Sequence, residues 1–285
     1  MICKEETKVN ISVLSGKGGT GKTTISTNLA YSMGANYIDC DVEEPNGFIF
    51  LNPTNIKSKK VYMDNPFIDD EKCINCGKCA KVCQFNALVK TKKDIILFER
   101  LCHSCGACEI VCDTGALTYK KRPIGVIEQG NFNGNTCKRG ILNVSEPMAV
   151  PVIKELLGNL PKGINIIDCP PGTSCNVVSS IKFTDAAILV TEPTEFGLHD
   201  LKMAVELLRM FKVPFGVVVN KNTSKENIIV DYCIKENISI LGFVPYKKEA
   251  AKTYSTGNML VHIEEYKKVF DEISHKVKEE LLWNL

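Results

Sequence analysis

Short apolar runs recur along the chain, each closed by a polar turn: Val9–Leu14, Tyr37–Cys40, Asn165–Asp168, Ala186–Thr191, Phe215–Val219 and Ile240–Val244. Apolar runs of this length between turn signals read as buried strands. The segments between them keep a helical repeat. A helix is predicted to open near Thr23 and run through Ile25–Met33, and another over Val150–Leu157. A third, over Leu198–Phe211, spaces Leu201, Ala204, Val205, Leu208 and Phe211 at 3.6 residues. The stretch Ile263–Leu285 is amphipathic, with Tyr266, Phe270, Ile273, Val277 and Leu281 on one face. Its other face mixes lysine with glutamate, so packing on a sheet is expected rather than attachment to a membrane. Phe48–Leu51 is apolar and reads as a short strand or a helix end. Strand and helix alternating in this way predict an α/β domain with a doubly wound parallel sheet.

The alternation is interrupted. From Asn52 to Pro66 the texture turns polar, with Pro53, Asn55, Lys57, Ser58, Lys59 and Lys60, and reads as a connection leaving one domain for another. Residues 57–60 are expected to be a solvated basic face. The glycine-bearing stretch Lys120–Asn143 is expected to re-enter the first domain and line the cleft between the two. The organisation predicted is a discontinuous domain of residues 1–64 and 120–285, interrupted by an insert of residues 65–119.

Composition narrows the picture. The 285 residues carry a net charge of +2, which makes no case for a nucleic-acid partner. No apolar run approaches the ~20 residues that span a bilayer. The start, Met1-Ile2-Cys3-Lys4-Glu5-Glu6, has no apolar signal core, and a cytoplasmic protein is expected. Fourteen cysteines are the anomaly. In a long chain without an export signal they point to metal rather than disulfides.

The first strand runs into Ser15-Gly16-Lys17-Gly18-Gly19-Thr20-Gly21-Lys22-Thr23-Thr24. Gly16 to Thr23 fit the phosphate-loop pattern of Gly, four residues, Gly-Lys-Thr. Backbone N–H groups must converge on phosphate oxygens, and Gly16, Gly18, Gly19 and Gly21 allow the close approach. The helix that follows turns its positive end toward the phosphates. Lys22 is placed to reach the β- and γ-phosphates, and the Thr23 hydroxyl to sit on Mg²⁺.

Eight cysteines fall into two matching runs, Cys73-x2-Cys76-x2-Cys79-x3-Cys83 and Cys102-x2-Cys105-x2-Cys108-x3-Cys112. Each has the bacterial ferredoxin spacing, three thiolates to grip one [4Fe–4S] cube and a fourth that faces the other. Cys73, Cys76, Cys79 and Cys112 are therefore assigned to one cluster, and Cys102, Cys105, Cys108 and Cys83 to the second. Zinc is the competing reading, but two identical four-cysteine runs exceed what one tetrahedral ion needs. The Pro that usually follows the fourth cysteine is replaced by Gln84 and Asp113, which leaves ligation intact. His103, inside the second run, reads as a surface residue or a donor near the cluster. Cys137, Cys169 and Cys175 match no such spacing and are not assigned to a cluster.

With Lys17 ahead of Gly18-Gly19-Thr20-Gly21-Lys22-Thr23, the loop resembles the deviant phosphate loop of the MinD/ParA/nitrogenase-iron-protein superfamily. The chain as a whole resembles its members with an inserted two-[4Fe–4S] ferredoxin domain, and Glu43, Glu44 and Asn46 fit that variant. The resemblance implies that Lys17 crosses a dimer interface to the partner's nucleotide. It implies that Asp41, with Asp39 as rival, positions the attacking water, and that Asp168, ahead of Cys169-Pro170-Pro171-Gly172, holds Mg²⁺ through water. It implies that Asn220 reads adenine, and Pro245 opens a loop placed to line the same base. The expected cofactors are ATP, Mg²⁺ and two [4Fe–4S] clusters. The expected activity is slow ATP hydrolysis coupled to electron transfer to a redox or metallocluster partner, through a nucleotide-dependent homodimer or a heterodimer with a paralogue. Cluster or cofactor maturation and MinD-like positioning are the alternatives. The Mrp-type carriers of the superfamily use a Cys-x-x-Cys late in the chain, whereas here only Cys233 follows Cys175.

Overall fold

The computed structural model describes residues 8–224 and 227–282. The segment Met1–Glu6 and the last three residues of the amphipathic stretch lie outside the described residues. The strands in chain order are β1 Lys8–Leu14, β2 Asn36–Asp39, β3 Thr54–Ile68, β4 Leu88–Lys90, β5 Ile95–Leu97, β6 Leu117–Phe132, β7 Asn135–Leu142, β8 Gly163–Asp168, β9 Ala186–Thr191, β10 Phe215–Asn222 and β11 Ile240–Pro245. Nine of them form one sheet in the order β11-β10-β9-β1-β8-β2-β7-β6-β3. From β11 to β7 all neighbours run parallel, whereas β6 and β3 add antiparallel strands at one edge.

Both faces of the parallel part are buried, which is why its strands are nearly all apolar. Alternate residues feed opposite layers. Ile11, Val13, Ile188, Val190 and Val218 pack with the helices Lys22–Met33 and Glu264–Lys276. Ile38, Ile167, Leu189, Val217 and Val219 pack with the helices Val150–Leu157, Cys175–Ile181 and Glu195–Phe211. The amphipathic face near the chain's end is spent in the first layer, where Tyr266, Phe270, Ile273, Val277 and Leu281 are all buried. Among the described residues no helix is long and apolar enough to cross a membrane.

The polar stretch expected to be a connection is strand from Thr54 onward, not loop. Its first seven positions, Thr54–Lys60, are all exposed. An outermost strand buries little, so it shows no apolar alternation, and its lysines blunt an edge that would otherwise pair with other chains. Lys120–Asn143 is likewise strand for most of its length, in β6 and β7. Phe48–Leu51 belongs to a short helix, Gly47–Leu51.

β3 and β6 pair from Thr54 opposite Asn131 to Ile68 opposite Leu117. β7 covers β6 only from Gly125 to Phe132. The remainder, residues 62–68 with 117–124, continues past the end of β7 as a two-stranded ribbon. Because β7 ends on the same edge as Asp39 and Asp168, the ribbon leaves from the edge where the parallel strands end. At its tip sit residues 69–116, with the hairpin β4–β5, the short helices Lys78–Val82 and Ala107–Ile110, and a small core of Cys79, Leu88, Cys108 and Leu117.

Candidate nucleotide and cysteine sites

The phosphate loop joins β1 to the helix Lys22–Met33. Gly21 precedes that helix at φ 92°, and no side chain caps the first turn, so its N–H groups are left for a ligand. A Cβ on Gly21 would stand 2.2 Å from the Asn220 amide nitrogen, so glycine is required for room as well as for conformation. Lys22 is buried to 7% exposure at the mouth of the helix. Ser15 closes the loop with a hydroxyl bond to the Lys17 carbonyl at 2.7 Å, and the Gly172 N–H reaches back to the Ser15 carbonyl at 3.0 Å. The segment after Asp168 is thereby tied to the phosphate loop.

Asn220 and Lys221 complete the other wall. The Asn220 amide donates to the Thr20 carbonyl at 2.7 Å and Lys221 donates to the Gly19 carbonyl at 2.8 Å. Asn220 thus braces the loop with one amide hydrogen, which leaves its oxygen for another partner. Beyond it opens a pocket of about 390 Å³, lined by Gly19, Thr24, Pro245, Tyr246, Tyr254 and Leu260 among others. That volume lies within the ~300–1,000 Å³ of ligand pockets. Pro245 is in its wall; Tyr246 and Tyr254 carried no motif and were reached only by folding.

Lys17 lies within this one chain against Glu192, Nζ to Oε1 2.7 Å, and Lys221 pairs with the same carboxylate at 3.2 Å. Although burial pushes the Glu192 carboxyl upward, the two ammonium groups outweigh it and hold it below its ordinary range. Glu192 had no motif to mark it beyond following a strand.

The acidic side is organised by a tyrosine. Tyr37, fully buried, donates toward Asp168 Oδ2 at 3.0 Å and stands 3.3 Å from Asp39 Oδ2. Asp39 also accepts from the N–H groups of Gly47 at 2.9 Å and Asp41 at 3.2 Å. With its oxygens so occupied and 1% exposure, Asp39 holds the loop that follows β2. A Cβ on Gly47 would stand 2.1 Å from the Tyr37 hydroxyl, which explains the glycine there. Asp41 is half-buried; burial pushes its carboxyl up to about 6, against the pull of Lys22. Burial likewise raises Asp168, while Lys22 and the Thr23 hydroxyl draw it back. Asp168 Oδ1 and the Thr20 hydroxyl are buried with no hydrogen-bond partner. An orphaned carboxylate oxygen beside Thr23 and Lys22 fits a hydrated Mg²⁺ held at the phosphates.

The two cysteine runs line two separate cavities. Cys73, Cys76, Cys79 and Cys112 line the first, with Ile68, Ile95 and Leu117 behind them. Cys83, Cys102, Cys105 and Cys108 line the second, with Pro66, Leu88 and Tyr119. Three thiols of each run thus meet the fourth of the other. Backbone N–H groups point at sulfur, Ala87 to Cys83 at 3.3 Å and Ser104 to Cys102 at 3.5 Å. The hydroxyls of Tyr119 and Thr114 stand 3.7 Å from Cys108 and Cys112. Cys76 and Cys105 are exposed. His103 stacks on Phe85, ring centres 3.8 Å apart, at the wall of the second cavity. Among the described residues no three His, Cys, Asp or Glu side chains are grouped as one metal ion would require. Cys40, Cys137, Cys169 and Cys233 are buried away from both cavities.

Known proteins resemble this chain over most of its length. The model of the CobQ/CobB/MinD/ParA nucleotide binding domain matches residues 11–261. The uncharacterised protein MJ0578 of Methanocaldococcus jannaschii is 38% identical over 224 residues, 75% of this chain and 78% of its own. An iron-sulfur cluster carrier protein of Pyrococcus horikoshii is 27% identical over 306 residues, 96% of this chain and 87% of its own. Among solved structures, the septum site-determining protein MinD of Pyrococcus horikoshii, complexed with Mg-ADP, superposes with a TM-score of 0.60 at 17% identity, covering 98% of each chain. With the phosphate loop, the uncapped helix and the buried aspartates already in place, the match assigns the chain to a family: it belongs to the CobQ/CobB/MinD/ParA nucleotide-binding proteins.

Proposed function

We infer that this protein is an ATPase that couples nucleotide turnover to electron transfer through two [4Fe–4S] clusters carried on an inserted ferredoxin-like domain, residues 65–119, between the two parts of the ATPase domain. The observation that carries the reading is the pairing of the cavities. Each is lined by three thiols of one run and the fourth of the other, and both stand on a ribbon that leaves from the nucleotide edge. Cys73, Cys76, Cys79 and Cys112 would hold one cluster, and Cys83, Cys102, Cys105 and Cys108 the other. Four sulfurs around a space rather than a point suit a cube better than zinc, whose bonds of about 2.3 Å draw its ligands together. Bound clusters would supply one-electron transfer.

In the nucleotide site Gly16, Gly18, Gly19, Thr20 and Gly21 would wrap the phosphates, with Thr24 at the nucleoside end. Lys22 would neutralise the β- and γ-phosphate oxygens, and Thr23 and Asp168 would hold Mg²⁺. Asp41 would orient and deprotonate the attacking water. Asn220 and Pro245 would meet the base. Lys17 would leave Glu192 and cross to the nucleotide of a second subunit, which makes closure dependent on ATP. Reduction of an electron acceptor by the anaerobically purified protein, followed with and without Mg-ATP, tests the coupling. Faster transfer with ATP is expected; equal rates refute it.

A second reading is cluster delivery, favoured by the carrier protein similar over nearly the whole chain. Against it, Cys233 is isolated and fully buried, so no surface thiol pair is available late in the chain to bridge two subunits. Transfer of labelled iron to an apo-acceptor, without electron transfer, would reverse the order.

A further inference from the structure

The Asp41 loop and the root of the ribbon share a buried core, Val42 with Val61, Met63 and Ile124, and a short segment, Leu142–Glu146, is hydrogen-bonded to both. Toward the nucleotide site, the Leu142 N–H donates to the carbonyl of Val42, the residue after Asp41, at 2.8 Å. Val42 is buried against Gly140, where a Cβ would stand 2.6 Å from the Val42 side chain. Toward the ribbon, the Asn143 N–H donates to the Ile124 carbonyl at 2.9 Å, and its side-chain amide to the Pro123 carbonyl at 3.0 Å. The segment then turns, with Glu146 N–H bonded to the Asn143 carbonyl at 3.0 Å and Ser145 at φ 63°, a conformation that favours glycine. Glu146, buried, takes both terminal nitrogens of Arg122. These anchors fall where β3 and β6 lose regular register, at Val61 opposite Gly125 and Tyr62 opposite Pro123, the point at which the ribbon leaves the sheet. Arg122 Nε is buried there without a partner.

From that root the ribbon is bonded to the second cysteine run. The Ser104 hydroxyl donates to the Asp64 carbonyl, and the Asn65 amide to the Glu99 carbonyl at 3.0 Å. The cavity lined by Cys83, Cys102, Cys105 and Cys108 therefore lies nearer the sheet, beside Pro66 and Tyr119. The other lies at the ribbon tip, beside Ile68 and Leu117.

We propose that Leu142–Glu146 is a strap that transmits the position of the Asp41 loop to the root of the ribbon, so that nucleotide state is felt first at the sheet-side cysteine cavity. The physical basis is that the links through this segment are directed hydrogen bonds and a buried ion pair, added to the core that Val42 shares with Val61, Met63 and Ile124, while the ribbon beyond Gly125 is free of β7. A shift of Val42 pulls Leu142, Asn143 follows, and Pro123 and Ile124 move with it. The left-handed Ser145 and the unpartnered Arg122 Nε make this joint the strained point of the connection. The strap rests on the coupled-ATPase reading but is tested apart from it.

The test is hydrogen-exchange mass spectrometry on the full, anaerobically purified protein, with Mg-ATP against nucleotide-free. In the wild type, exchange is expected to change in residues 41–44 and also in 61–66 and 119–125. Asn143→Ala, an exposed position whose side chain bonds Pro123, and Glu146→Gln are expected to keep the response at 41–44 and diminish it in the ribbon; if Glu146→Gln fails to fold, Asn143→Ala alone decides. An undiminished ribbon response in the folded variants overturns the strap. So does a wild type in which 41–44 responds and the ribbon does not. If the ribbon responds as expected while electron transfer is equal with and without ATP, the strap stands and the proposed coupling falls.

Discussion

At the scale of single residues, the buried carboxylates define the nucleotide site. Asp39 and Asp168 share the Tyr37 hydroxyl, and burial raises the pKa of both. Tyr37→Phe keeps the ring but strips that donor, and a loss of about 1–3 kcal/mol in unfolding free energy is expected; a chemical denaturation curve measures it. Asp41 is the half-exposed member, its pKa pushed up to about 6 by burial. In the proposed role of general base Asp41 would act deprotonated, so the hydrolysis rate should climb as pH rises through about 6. The stability consequence has the opposite sign. A carboxyl raised above its unfolded value contributes stability that is present at low pH and fades as pH rises through about 6. Asp41→Asn should lower the hydrolysis rate by roughly 10²–10⁴-fold and remove that limb, with ATP still bound. A pH series of phosphate release, with a binding assay beside it, checks both statements.

At the scale of elements, the two cysteine runs are legible in spacing alone, because a loop must place three thiols close together and the next helical turn points the fourth away. What spacing leaves out is the frame. The hairpin β4–β5 and the ribbon bring Cys112 to the first cavity and Cys83 to the second. Cys112→Ser should therefore empty the cavity of the first run and spare the other, lowering iron from about eight per chain to about four. Iron analysis with paramagnetic resonance of the reduced protein tests it; loss confined to the second run's cluster would contradict the exchange. β3 teaches the reverse lesson. Its polar run 54–60 looks like loop because an edge strand buries almost nothing, and only Val61 and Met63 begin to alternate.

At the scale of the molecule, the nucleotide edge and the cysteine unit lie on the same side of the sheet, since the ribbon leaves where the parallel strands end. Lys17 lies on Glu192 within the chain. The pair is partly buried, the side chains 35% and 17% exposed, and in the proposed dimer Lys17 would give up this carboxylate for a phosphate on a second subunit. Lys17→Ala is expected to keep the monomer folded and abolish ATP-dependent dimers; light scattering on the eluting protein, with and without Mg-ATP, decides it. A variant that dimerises normally would remove Lys17 from the interface.

Read alone, the chain determined what local chemistry dictates: apolar strands, a glycine loop ahead of a helix, cysteines at ligand spacing, and an amphipathic end spent on packing. These depend on neighbours a few residues apart, and the periodicity carries them. Only the tertiary structure decided what depends on distant parts meeting. Tyr37 on Asp168, Glu192 beneath Lys17, Asn220 bracing Thr20, and the pairing of β3 with β6 in the ribbon all join segments far apart in sequence. None repeats with a helical or strand period, because a long-range contact leaves no local trace in either partner.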